Sequence, residues 1–106
     1  MDRIELLTQF VATNPKDPFP RYGLAIELKN RGRLADAERA FDELMGAFPD
    51  YTAAYLHAGN VSKELGKKDR AAAVYRAGLE ACERKRDAHA HGELEAALAA
   101  LESGEG

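Results

Sequence analysis

Residues 21–49 read RYGLAIELKNRGRLADAERAFDELMGAFP, and residues 55–83 read YLHAGNVSKELGKKDRAAAVYRAGLEACE. The second stretch repeats the first with a shift of 34 residues, which places Phe41 on Tyr75. Repeats of this length are typical of stacked helical hairpins, in which neighbouring units bury each other's apolar faces. The repeat therefore predicts an all-α solenoid.

Each repeat contains two amphipathic helices that are separated by a glycine. Apolar residues recur at three- and four-residue spacing on both sides of Gly32 and Gly66. Glycine suits these points because a helix often ends in a left-handed residue. We expect six helices, at roughly 2–13, 19–31, 34–47, 52–65, 68–84 and 88–102. The junction at 84–87 contains neither glycine nor proline, so the last two helices could be separate or continuous.

The spacing of these residues resembles that of the tetratricopeptide repeat (TPR) family. Its pattern is W-x2-L-G-x2-Y, then A-x3-F, then P. The first unit fills these slots with Arg21, Leu24, Ala25, Leu28, Ala37, Phe41 and Pro49. The second unit fills them with Tyr55, Ala58, Gly59, Ser62, Ala71, Tyr75 and Glu83. The resemblance implies a small stand-alone protein with one domain: a half repeat (1–17), two full units (18–51 and 52–85), a capping helix (86–102) and a flexible tail (103–106).

Three slots depart from the family pattern. Arg21 lacks the usual aromatic ring, although the adjacent Tyr22 partly fills its place. Ser62 puts a hydroxyl where a large apolar side chain is usual, and Glu83 replaces the closing proline. We expect these changes to weaken the packing of the second unit on the cap without altering the fold.

The composition argues against several classes of protein. A chain of 106 residues is long enough for one domain, and its net charge of -3 is opposite to that of a typical nucleic-acid module. No apolar run is long enough to span a bilayer, and the N-terminus does not resemble a signal peptide. Cys82 is the single cysteine and has no internal disulfide partner, so we expect a cytoplasmic protein.

The chain offers little material for catalysis or metal binding. Cys82 lies in an apolar helical stripe, where a thiol behaves as a small hydrophobic group. His89 and His91 are two residues apart, which points them to different sides of a helix. His57 and His91 are 34 residues apart and could share a groove, but two ligands do not complete a zinc site. We therefore predict no enzyme activity, no cofactor and no metal.

The resemblance implies that a protein or peptide partner binds on the concave face, which the first helix of each unit lines. By position, the expected groove residues are Tyr22, Ile26, Lys29, Leu56, His57, Asn60, Lys63 and His91. Ile26 and Leu56 could belong to either the core or the groove. The family's cationic clamp for chaperone tails is absent, because its positions read Tyr22, Ile26, His57, Asp87 and His91.

Weak self-association is the alternative function. The last helix carries Leu94, Leu98 and Leu101, which would form an exposed seam for pairing with another copy. Ala90, Ala97 and Ala100 lie on the same helix and would allow close approach. A scaffold that pairs through its terminal helices is therefore a second hypothesis beside the groove.

Overall fold

The computed structural model describes residues 1–104 and contains six helices within them. They are α1 (Arg3–Thr13), α2 (Pro18–Asn30), α3 (Leu34–Ala47), α4 (Ala53–Glu64), α5 (Lys68–Lys85) and α6 (Ala88–Glu102). The all-α prediction is confirmed, and the predicted helix ends agree to within one residue. The expected tail falls partly outside the described residues, because Glu105 and Gly106 are not among them.

Short-range chemistry explains where the helices begin and end. The side chains of Asp2, Asp17 and Asp87 accept hydrogen bonds from backbone N–H groups in the first turns of α1, α2 and α6. Gly32 and Gly66 follow α2 and α4 with φ of 76° and 79°, in the left-handed region that favours glycine. The glycines therefore end the first helix of each pair, as the sequence predicted.

α5 and α6 are separate helices, which settles the junction that the sequence left open. Arg86 adopts a left-handed conformation with φ of 55°, and the N–H of Asp87 donates to the carbonyl of Cys82 at 2.9 Å. Asp87 then caps α6, and the hydroxyl of Thr52 donates to the same carboxylate at 2.7 Å. This hydrogen bond from Thr52 is the main reason why the pKa of Asp87 is lowered.

The six helices form two layers. Each helix packs against the next one along the chain. Cα atoms of α2 and α4, and of α4 and α6, also approach within 8 Å, whereas those of α1 and α3, or of α3 and α5, do not. Because the α2–α4–α6 layer is more closely spaced, the stack curves towards it and this layer forms the concave side.

The core lies between the layers and is filled by alternating small and large side chains. Ala25 and Ala37 are fully buried where α2 meets α3, and Phe41 and Tyr75 are buried in the equivalent second helices. A Cβ atom at Gly59 would overlap the ring of Tyr75, so a residue without a side chain is needed there. Close approach at small residues is thus what allows the aromatic rings to fill the space between pairs.

Candidate functional site

A cluster of rings lies at the centre of the concave layer. The ring centroids of Tyr22 and Tyr51 are 5.3 Å apart, and those of Tyr22 and His57 are 6.0 Å apart. His57 also stacks on Phe41, with centroids 6.4 Å apart and planes within 8° of parallel. Tyr22 and His57 are half-buried, so the cluster joins the core to the surface of α2 and α4. Burial raises the pKa of the Tyr22 hydroxyl.

Lys29 and His57 form the polar contact beside these rings. The Lys29 Nζ lies 3.2 Å from His57 Nδ1. Burial lowers the pKa of His57, and the charge of Lys29 lowers it further. Since a neutral imidazole can accept a hydrogen bond and an imidazolium cannot, Lys29 donates to neutral His57. The pair therefore carries one positive charge, which belongs to Lys29.

Ile26 and Leu56 lie next to this cluster on neighbouring helices. Both pack against buried core residues, and both remain half-buried instead of fully enclosed. The sequence left open whether they belong to the core or the groove, and the structure places part of each side chain in both. They give the concave surface an apolar strip between α2 and α4.

Asn60 has a structural contact that the sequence did not predict. Its Oδ1 accepts a hydrogen bond from the hydroxyl of Tyr75, whose ring is in the core. The carbonyl end of the amide is therefore engaged within the chain, and the NH₂ group is the end left for an external contact. Lys63, one turn further along α4, is half-buried and has no carboxylate within 4.0 Å among the described residues.

His91 does not take the position expected of it. Its Nε2 lies 3.7 Å from a carboxylate oxygen of Glu83 on α5, and its Nδ1 lies 3.3 Å from Glu95. The ring lines a surface pocket with residues of the α5–α6 junction, including Cys82 and Asp87. The expectation that His57 and His91 occupy equivalent groove positions was therefore wrong.

A shift of the repeat register in α6 explains this error. Glu83 replaces the proline that closes the first unit, so α5 runs for 18 residues where α3 has 14. The core-packing residues of α6 follow those of α4 by 36 residues instead of 34: Ala90, Leu94, Ala97 and Leu98 match Ala54, Ala58, Val61 and Ser62. Glu93, which lies 36 residues after His57, is the α6 residue whose charge reaches that imidazole. Its negative charge raises the pKa of His57, but the lowering by burial and by Lys29 is larger.

The seam proposed for self-association is largely buried within the chain. Leu94 and Leu101 are only 1% and 3% exposed, and Leu98 packs against the core. The three leucines hold α6 on α5 because α6 must cover the apolar face of the last pair. Pairing of copies through these leucines was therefore a wrong expectation.

The exposed large apolar side chains lie at the other end, on α1 and at the start of α2: Met1, Leu6, Phe10 and Phe19.

The described residues show no group of three or more His, Cys, Asp or Glu side chains that could hold a metal ion. Cys82 is buried, and burial raises the pKa of its thiol, which disfavours the reactive thiolate. Within the same part of the chain, no helix is long and apolar enough to cross a membrane. The candidate site is the concave surface with its aromatic, aliphatic and lysine side chains.

Antiparallel helix pairs that stack with a 34-residue repeat define a helical-repeat protein. No family model matches this sequence, and no curated protein matches it. Solved structures do match, among them two from one organism. The solution NMR structure of a tetratricopeptide repeat domain protein from Salinibacter ruber is 32% identical, with a TM-score of 0.79 over 84% of this chain and 90% of that one. A crystal structure of a tetratricopeptide repeat domain protein from the same organism is 32% identical, with a TM-score of 0.77 over 81% of this chain and 97% of that one. The chain belongs to the tetratricopeptide repeat family.

Proposed function

We propose that this protein binds a peptide or helix of another protein on the concave surface formed by α2 and α4. Tetratricopeptide repeat folds are in general protein-interaction modules, and helical-repeat proteins bind on extended concave surfaces. The observation that supports the proposal most directly is the half-buried apolar strip of Tyr22, Ile26 and Leu56 on neighbouring helices. A binding role without catalysis, in the cytoplasm, is part of the same proposal.

The proposed anchors are suited to binding because they are held in place before a partner arrives. Tyr22 is fixed by contacts with Tyr51 and His57, so little side-chain freedom is lost when a partner packs on it. Ile26 and Leu56 each leave part of their surface uncovered. A few residues that become fully buried in the complex, often tyrosines, usually supply most of the binding energy in an interface, which favours Tyr22 as the main anchor.

The division into a half repeat (1–17), two full units (18–51 and 52–85) and a cap (86–102) fits this role, and we propose it for the chain. The full units supply α2 and α4, which carry the anchors. α6 covers the last pair, and its Gly92 leaves open space around the backbone. A partner that lies across α2 and α4 would therefore have room beside α6.

The test is capture of partners from a lysate of the source organism by the parent protein and by two matched double variants. In the groove variant, Ile26→Gln and Leu56→Gln remove the apolar strip. In the control, Leu6→Gln and Phe10→Gln remove two exposed apolar side chains from α1. Asn60 is left intact, because its loss would deprive the buried Tyr75 hydroxyl of its acceptor.

We expect a protein that the parent and the control capture and that the groove variant loses, with unchanged circular dichroism in all three. Loss of capture in the control alone would instead locate the binding surface on α1. Equal capture by all three proteins would contradict the proposal.

A further inference from the structure

Lys29 and Lys63 differ from the other cations of the chain in burial and in pairing. Cations in both layers have carboxylate partners: Arg31, at the end of α2, pairs with Glu27, and Lys67 pairs with Glu38. Among the described residues, six cations have no carboxylate within 4.0 Å: Lys16, Lys29, Lys63, Lys68, Lys85 and Arg86. Four of these six are exposed, and only Lys29 and Lys63, on the concave side, are half-buried.

Lys29 and Lys63 occupy the same position in successive units. They are 34 residues apart, on α2 and α4, which are neighbours in the concave layer. Both are half-buried, so their side chains lie along the surface instead of extending fully into water. Since packed helices are spaced by about 8–10 Å, the backbones that carry the two lysines are separated on that scale.

None of the carboxylates near these lysines in the sequence or on α6 forms an ion pair with them. Glu27 bonds to Arg31 at 2.9 Å and to Arg3 at 3.0 Å. Glu64 follows Lys63 directly and is therefore turned by about 100° around the helix. On α6, Glu93 lies 3.5 Å from His89, and its charge reaches His57, the imidazole that Lys29 contacts. Its carboxylate is nevertheless not within 4.0 Å of either lysine, so both lysines border the apolar strip without a direct carboxylate contact.

Deepening the function proposed above, and resting on it, we infer that the partner segment is acidic as well as apolar. Its apolar side chains pack on Tyr22, Ile26 and Leu56, and two of its side-chain carboxylates pair with Lys29 and Lys63. Carboxylates about 10 Å apart on one face meet this requirement when they are three residues apart in a polyproline II segment or seven apart in a helix. Charge complementarity of this kind contributes both specificity and association rate.

The experiment selects random peptides from a displayed library against the parent protein. The strongest binder is then synthesised, and its dissociation constant is measured by fluorescence anisotropy at low and high salt. The lysine variant carries Lys29→Gln and Lys63→Gln. The charge-matched control carries Lys16→Gln and Lys85→Gln, which are exposed and lie outside the concave surface. The groove variant Ile26→Gln, Leu56→Gln is measured alongside.

We expect selected peptides that combine apolar residues with at least two Asp or Glu. The lysine variant should bind about tenfold more weakly and lose most of the salt dependence, while the control stays within about twofold of the parent. Peptides that require Ile26 and Leu56 but show no acidic enrichment, or that bind the lysine variant as tightly as the parent, would overturn this inference alone. Failure to select any peptide that depends on Ile26 and Leu56 would overturn the proposed function, and the inference with it.

Discussion

Gly59 and Gly92 both lie inside helices, but only Gly59 faces a packed neighbour. A Cβ atom at Gly59 would overlap the ring of Tyr75, whereas one at Gly92 would meet nothing within 4 Å. We expect Gly59→Ala to lower the free energy of unfolding by about 1–3 kcal/mol, because the tyrosine must move. Gly92→Ala should raise it by about 0.5–1 kcal/mol, because alanine loses less conformational freedom on folding. Urea unfolding followed by circular dichroism measures both, and changes of the same sign would contradict this account.

His57 is the residue whose titration should make stability depend on pH near neutrality. Burial, and then the charge of Lys29, hold its pKa in the folded protein below the ordinary value of 6.5. The unfolded chain therefore binds a proton more readily, so this contribution to stability is complete above about pH 6.5. It is lost as the pH falls from there through the lower pKa of the folded state.

We expect unfolding experiments between about pH 7 and pH 5 to show a falling free energy of unfolding for the parent, and a shallower fall for His57→Gln. The control is His89→Gln, because the His89 side chain is 88% exposed. The lowered pKa values of Asp2, Asp36 and Asp87 act at more acidic pH and do not interfere. Parallel curves for the parent and His57→Gln would show that burial of this imidazole has no energetic consequence.

Among the elements, α1 matches the second helix of a repeat and packs against α2 alone among the described helices, and this shows in the burial of its residues. Phe10 and Leu44 occupy the same repeat position, yet Phe10 is 44% exposed and Leu44 is fully buried. We expect Leu44→Ala to cost about 2–5 kcal/mol. Phe10→Ala should cost about 1 kcal/mol or less, although it removes the larger side chain. A cost for Phe10→Ala close to that of Leu44→Ala would mean that another molecule covers α1 in solution, which sedimentation would then detect as a dimer.

The boundaries of most elements could be predicted because they depend on local chemistry. Gly32 and Gly66 end helices through their left-handed conformations, and Asp17 caps α2 through its own side chain. The start of α6 was also predicted, but the face that it turns to the core was not. That face depends on the extra turn of α5 and on a left-handed Arg86, for which the sequence carries no glycine signal. The absence of proline at Glu83 was the available warning.

The candidate site was predictable to a similar extent. Repeat position alone located Tyr22, Lys29 and Lys63 on the concave layer, because α2 and α4 keep the 34-residue register. It failed for His91, which lies beyond the register shift, and it missed the bond from Tyr75 to Asn60. Contacts between side chains of different helices depend on how those helices cross and rotate, and a repeat pattern does not specify this.

At the scale of the whole molecule, the stack should unfold as one unit, because no helix pair can bury its apolar face alone. Phe41 tests this, since it is 1% exposed on α3 and stacks on His57 of α4. We expect Phe41→Ala to lower the free energy of unfolding by about 3–5 kcal/mol.

If unfolding is cooperative, the most protected amides of α2 should exchange hydrogen about 100-fold or more faster in Phe41→Ala than in the parent. The most protected amides of α5, which belongs to the other full unit, should then exchange faster by the same factor. Amide hydrogen exchange measured by NMR gives both factors in one experiment. If α5 kept its protection while α2 lost it, the two units would be independently stable. The alignment of Lys29 with Lys63 would then depend on docking of the units, and partner affinity would fall in Phe41→Ala although α4 itself stayed folded.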